Sequence, residues 1–310
     1  MQTNTELWLD RTLRTGAVGT WWSAGTPGGG TLGMLQLEPD LVAQEAARQR
    51  VAAVVAKLRA ANPPGVVRTT ELVYETRRAW LVVATVPKPT LADLLAGHGG
   101  SPLPTGAAAG LAVDIATALR ELHAVGLTHG DLAADTVVLT GAGAAALTEV
   151  GVLAAIQDAP ADVTRDARAW AALARTLAAV AGAEESGLLV AAATTAESGD
   201  LTAAARRLAL AAASLPDFET RDALAASLPA LDQAAPPRIP AQRESTVDRI
   251  GGPDGTVAPT GEAEPTVTVR LRFGPGVPDQ VLASTSPVTA AKDEPAPPRR
   301  GWLRRLFSRR

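Results

Sequence analysis

Apolar and polar positions follow two different periods along this chain. From residue 6 to 37, short β-prone apolar pieces are broken by glycine-rich turns such as TPGGG at 26–30, a pattern of strands joined by tight turns. Residues 40–61, DLVAQEAARQRVAAVVAKLRAA, read as one helix, with Asp40 placed to cap it and Asn62-Pro63-Pro64-Gly65 to stop it. Two strand-like runs follow, GVVRTTELVYET and AWLVVATV, joined by a turn near Arg77-Arg78. Residues 105–125 predict a strong Ala/Leu-rich helix ended by Gly126, and short strands are expected near 136–140 and 144–149. Residues 163–231 are almost entirely helical in pattern. Strands, one helix, strands, then mostly helices predict an α+β fold with a small β-rich lobe and a larger helical lobe.

Composition changes after residue 233. Residues 234–298 hold 12 of the 23 prolines, and such a segment buries too little apolar surface to order itself, so a disordered linker is expected. Within it TVTVRLRF, Thr266 to Phe273, alternates as a strand does. It reads first as an extended piece of linker; the alternative is a strand docked on a sheet edge. The expected organisation is a two-lobed domain over 1–233, divided near 86/87, then the linker 234–298, then a basic tip 299–310.

Charge sharpens that division. The net charge is −3, but RRGWLRRLFSRR at 299–310 carries six Arg and no acid, so the body is acidic and ends in a basic tip. An acidic body argues against nucleic acid as a partner. Coiled as a helix, the tip sets Trp302, Leu303, Leu306 and Phe307 on one face, which suits an anionic membrane surface bound through Arg299–Arg310. With no cysteine in the chain, disulfides and thiolate metal sites are excluded. MQTNTELWLDR lacks the features of a signal peptide, and no apolar run is long enough to span a bilayer. The expected location is cytoplasmic, with peripheral association at the inner membrane face through the tip.

Residues 122–153, LHAVGLTHGDLAADTVVLTGAGAAALTEVGVL, carry the candidate chemistry. His129, Asp131 and Leu132 match the kinase pattern H-R-D-L-x-x-x-N, while Ala133 stands in the usual Lys slot and Thr136 in the Asn slot. After the apolar run Val137-Val138-Leu139, the D-F-G slot reads Glu149-Val150-Gly151. Upstream, Gly16 and Gly19 fit a nucleotide loop whose first glycine is Arg14 and whose base-covering Val is Trp21. In the run Gly33-Met34-Leu35-Gln36-Leu37, Gln36 takes the slot of the phosphate-pairing Lys. The only lysines, Lys57, Lys88 and Lys292, lie outside the first three strands. AWLVVATVPKPTLADLLA resembles a kinase hinge, with Val83 at the back of the cleft and adenine expected at the backbone of Ala84 to Val86. The partner Glu of the following helix is either Glu45 or, counting back from Pro63-Pro64-Gly65-Val66-Val67, a position near Val54.

On these motifs, residues 6–231 resemble the protein kinase-like superfamily, as a degenerate bacterial serine/threonine-kinase-like pseudokinase. The resemblance implies a two-lobed fold and a doubtful nucleotide cleft at Gly16, Gly19, Trp21, Val83, Ala84 and Val86. No catalytic, cofactor or metal site is expected, because Gln36, Thr136 and Glu149 depart from the pattern around Asp131. It implies a regulatory or scaffold module with a protein partner. The alternative is an active protein kinase or small-molecule phosphotransferase that uses Asp131 and Glu149 with ATP and Mg²⁺. Asp166, in Asp166-Ala167-Arg168-Ala169-Trp170, resembles the start of the long helix of the larger lobe and would then anchor the catalytic loop backbone. Only VLAAIQDAPADVTR separates Gly151 from Asp166, which leaves little room for a peptide-docking loop.

Overall fold

The computed structural model describes residues 4–75, 78–233 and 268–273. The small lobe begins with β1 (Asn4–Thr15), β2 (Gly19–Gly25) and β3 (Thr31–Leu37), continues with helix α1 (Glu45–Ala61), and closes with β4 (Thr69–Glu75) and β5 (Arg78–Val83). The sheet order is β4-β5-β3-β2-β1, extended at the β1 edge by β8 (Thr268–Phe273). β8 runs parallel to β1, in a register that sets Asn4 against Thr268 and Leu9 against Phe273. Residues 268–273, assigned from composition to the linker, are therefore a strand on a sheet edge. Alternation in TVTVRLRF outweighs its proline-rich surroundings because the strand itself contains no proline to break the ladder. The remaining residues of 234–298, and the tip 299–310, lie outside the described residues.

The α1 helix starts later than the pattern predicts. Asp40 is not its cap: residues 38–42 form turns, with Leu41 N–H donating to Glu38 O and Val42 N–H to Pro39 O. The helix begins after Gln44, which makes no side-chain capping bond. Its end is as expected: Asn62 adopts a left-handed φ of 41° and its N–H donates to Leu58 O, a closure that Asn tolerates better than most residues.

The large lobe comprises α2 (Leu91–Gly97), α3 (Ala107–Ala124), the β6 (Val137–Leu139) and β7 (Ala145–Leu147) pair, and α4 (Val152–Gln157). It is completed by α5 (Val163–Val180), α6 (Ala183–Glu197), α7 (Leu201–Ala212) and α8 (Asp222–Gln233). Thr90 and Asp93 form a reciprocal capping box at α2. Alanines on α3 and α5 let helices approach closely around Leu111, Ile115, Leu119, Trp170 and Leu177, all buried. Trp170 Nε1 donates to Ala112 O at 2.8 Å, so even the largest buried ring of this core has its polar atom satisfied. Short α4 was not legible as a separate element. It sits directly beneath α1, held by Arg50, whose guanidinium donates to Ala155 O at 2.6 Å and to Ile156 O at 3.2 Å.

Candidate functional site

Strand alternation decides which side chains face the cleft between the lobes. On β2, Trp21 faces it and Trp22 faces away, and cross-strand partners share a face. Trp21 is paired with Leu35 on β3, whereas Gln36 is paired with Thr20 on one side and Trp80 on the other. Leu35 and Leu37 join the same buried cluster as Trp21, and Trp80 belongs to the cluster on the opposite face. Gln36 therefore points away from the cleft-facing cluster, and its neighbours Leu35 and Leu37 face it.

The helix partner is resolved in the same way. Glu45 lies on the exposed start of α1 and bonds Arg48 at 2.9 and 2.5 Å, and this pairing lowers its pKa. It is a solvated helix residue. Val54 instead faces Gly151: a Cβ added to that glycine would lie 3.1 Å from Val54 Cγ1. Leu35 and Val54 thus pack in the same apolar cluster. Around them Val51, Val55, Val152 and Ala155 form one continuous apolar cluster with Trp21 and Leu81.

At the D-F-G slot, Glu149 is buried and has a left-handed φ of 60°, uncommon for a residue with a side chain. Its Oε1 accepts from Arg14 Nη2 at 2.5 Å and from Trp21 Nε1 at 2.6 Å. Arg14 also lies 3.6 Å from Asp135 Oδ2, and its guanidinium stands 5.7 Å from the Trp21 ring centroid. An arginine from the glycine loop and an indole N–H thus occupy the carboxylate that a metal ion would need. Arg14 and Trp21 were singled out from sequence, but their convergence on Glu149 was not. Asp135 was missed altogether, since an acid in the slot between Ala134 and Thr136 carries no signal of its own.

The loop glycines have separate structural roles. Gly16 N–H donates to Gly19 O at 2.8 Å, closing the β1–β2 turn. At Gly19, φ is +151° and an added Cβ would lie 1.9 Å from Gln36 O, so only glycine fits against β3. Farther back, Val83 is buried in the cleft-facing cluster. Ala84 is exposed and its N–H is bonded to Arg68 O, while Val86 O accepts from Lys88 N–H. The connecting segment also presses on β3: a Cβ at Gly33 would meet Pro87 Cδ at 2.5 Å and Thr85 O at 2.9 Å.

The catalytic-loop motif is anchored as the resemblance implies. Asp166, 1% exposed, accepts from His129 N–H and Gly130 N–H at 2.9 Å each, and its Oδ2 lies 2.8 Å from His123 Nε2. Burial pushes the Asp166 pKa up, but these hydrogen bonds outweigh it and the net shift is downward. His129 is fully buried, its pKa pushed down to about 4 by desolvation against the pull of Asp166. It is a neutral packed residue whose Nδ1 accepts from Asp131 N–H at 3.3 Å. Asp131 is half-buried and its pKa is raised by desolvation, with Arg165 opposing and Asp135 adding. Thr136 turns inward: its hydroxyl donates to Ala133 O and accepts from Ala133 N–H, both at 3.0 Å. The side chain in the Asn slot thus closes its own loop.

A family model for protein tyrosine and serine/threonine kinases matches residues 40–173. Crystal structures of the Mycobacterium tuberculosis PknI kinase domain are similar at 20% identity and a TM-score of 0.53, covering 66% of this chain and 95% of theirs. A C20A_R136A double mutant of that domain gives 20% identity and a TM-score of 0.54, covering 66% of this chain and 94% of its own. No curated protein sequence matches the chain. Two lobes, a strand-bound glycine turn, an Asp-anchored H-G-D loop and these matches give the chain a protein kinase-like fold.

Proposed function

We propose that this chain is a pseudokinase, a catalytically inactive kinase-like domain that works as a regulatory or scaffold module for a protein partner. Phosphoryl transfer needs little covalent chemistry from the protein. It needs positive charge and metal ions held against the phosphates. The observation that carries the reading is the Arg14–Glu149–Trp21 link: the carboxylate at the metal position already holds an internal cation. Leu35 and Val54 support it by lining the cleft with packed apolar side chains. A magnesium nucleotide does not fit such a lining.

Asp131 favours a second reading. A half-buried carboxylate with a raised pKa suits a proton acceptor, and the chain would then be a phosphotransferase using Asp131 and Glu149. Thermal unfolding and phosphate release, measured with ATP and Mg²⁺ or Mn²⁺ on the full chain and on Asp131→Asn, separate the two. The pseudokinase reading expects no nucleotide-dependent stabilisation and no turnover in either protein. Turnover that vanishes in Asp131→Asn would overturn it. The tip 299–310 lies outside the described residues, and its proposed role is to bring the module to an anionic membrane surface. Among the described residues, no helix is long and apolar enough to cross a membrane.

A further inference from the structure

The small-lobe sheet ends in a strand that no turn joins to its neighbour. In the order β4-β5-β3-β2-β1-β8, β8 has β1 as its one ladder partner among the described residues. The pairing is parallel, Asn4–Leu9 against Thr268–Phe273, so a tight hairpin cannot have placed it. The other five strands form a sheet without it. β8 is therefore a strand added to an edge, the geometry by which sheets bind extended peptides.

Three features of β1 define what such a strand must carry. First, Leu7 and Leu9 are buried, while Trp8 between them is 39% exposed, so the two faces of this edge differ. In-register partners share a face. The register sets Leu271 against Leu7 and Phe273 against Leu9 on the apolar side, and Arg270 against Glu6 and Arg272 against Trp8 on the other. Residues 4–10 carry two acids, Glu6 and Asp10, and no base, which complements arginine at those positions. Second, Trp8 has a built seat. Its cross-strand partner is Gly25, where an added Cβ would collide with the Trp8 indole, so the ring lies against bare glycine backbone. A half-exposed indole fixed in this way is a platform for a cation. Third, the acceptor is bounded: the β1–β2 pairing shifts register between Leu9 and Arg11, a bulge that bends the edge, and β8 stops opposite Leu9.

We propose that the Asn4–Leu9 edge of β1 is a docking site for an extended strand of a partner protein, one that alternates apolar and arginine positions, and that β8 holds this edge in cis. Val269-Arg270-Leu271-Arg272-Phe273 displays the pattern the edge accepts and competes with a partner that carries it. A second copy of the chain carries the same pattern, but its β8 is engaged on its own β1. An open strand edge invites unspecific pairing, and an edge filled from within stays silent until a matching strand displaces the occupant. The site lies on the sheet edge farthest from β4 and apart from the cleft, so it stands whether or not the cleft turns over a nucleotide.

The probe is a labelled synthetic peptide, TVTVRLRF, the sequence of residues 266–273. Its binding and the amide hydrogen exchange of residues 4–9 are measured on the full chain and on an Arg270→Pro/Leu271→Pro variant of it. Adjacent prolines remove the β1-facing donor whichever way the strand turns. In the full chain residues 4–9 are protected and the peptide binds weakly. In the variant that protection falls, on the order of tenfold or more, while α3 and α5 keep theirs. The peptide binds the variant on the order of tenfold more tightly and restores the protection. The peptide TVTVELEF, with glutamate at both arginine positions, does neither, and adding Trp8→Ala to the variant weakens TVTVRLRF. Unchanged protection of 4–9 in the variant would show that β8 does not hold the edge. Equal binding of TVTVRLRF by the two proteins would overturn the competition, and equal binding of the two peptides would overturn the arginine recognition. Should the proline variant also lose protection in α3 and α5, Arg270→Glu/Arg272→Glu, which keeps its backbone donors, carries the same comparison. Protection of 4–9 that rises with protein concentration would assign the strand to a second copy and overturn the occupancy in cis.

Discussion

Arg14→Ala removes the cation from the Glu149 carboxylate and should be among the most destabilising single changes in the cleft. The two side chains are 11% and 5% exposed, so solvent screens their pairing little. Leaving one member of a buried pair without its partner costs about 3–5 kcal/mol. Trp21 Nε1 still donates to Glu149 in the variant, which favours the lower end of that range. For a domain of this size, 1 kcal/mol moves Tm by about 2–4 °C, so the expected fall is roughly 10 °C. Glu149→Gln should cost less, because Arg14 keeps Asp135 at 3.6 Å. Replacing both by leucine should recover most of the loss, since apolar side chains of similar volume often match or exceed a buried ion pair. The assay is urea and thermal unfolding of the four proteins, with the m-value checked for constancy. A loss below about 1 kcal/mol for Arg14→Ala, as for an exposed pair, would show that the link does not hold the cleft closed.

Gly19→Ala places a Cβ 1.9 Å from Gln36 O and should destabilise the small lobe by several kcal/mol, read by chemical denaturation. His129 titrates near 4 when folded against an ordinary 6.5, so the unfolded chain takes up the proton first. Stability should therefore fall by up to about 3 kcal/mol as pH drops from 6.5 toward 4, a loss absent in a folded His129→Phe variant. Asp166, whose pKa is lowered, adds a further loss in the same direction once pH falls below the ordinary carboxylate range, and Asp166→Asn should flatten that acid limb. For the tip, the full chain should co-sediment with anionic but not neutral vesicles in a salt-sensitive way, and a chain ending at Pro298 should not; equal sedimentation of the two would remove the membrane role.

Local signals carried most of the fold into the sequence. Asn62 and Gly126 ended their helices where the pattern required, and the order of strands and helices was sufficient for two lobes. The H-G-D loop and its anchor Asp166 were readable because short-range backbone contacts constrain residue type tightly. The cleft was less legible, for reasons of geometry. Gln36 and Leu35 are neighbours in sequence, and only strand register says which one faces inward. Arg14 meets Glu149 across 135 positions, and neither residue type alone predicts a partner. β8 was ambiguous because strand addition depends on an edge elsewhere in the chain being open, which alternation within TVTVRLRF does not encode.

The retained and the replaced positions differ in what their polar atoms touch. Asp166 bonds the backbone of His129 and Gly130, Thr136 bonds the backbone of Ala133, and Gly19 makes room for the backbone of Gln36. These contacts serve the chain itself, and losing them would cost stability whether or not anything binds. Leu35 is buried in the cleft-facing cluster and Val54 packs against it, so neither offers a polar contact to a ligand. An unpaired Lys or Glu at either place would be an uncompensated buried charge without a ligand, destabilising by several kcal/mol. If no nucleotide binds to offset that cost, apolar side chains are the stable solution. Glu149 remains charged only because Arg14 and Trp21 satisfy it from within the chain. By that logic, introducing Leu35→Lys alone should destabilise the fold without creating a nucleotide site, because Glu149 already has its cation and Val54 offers no carboxylate in return.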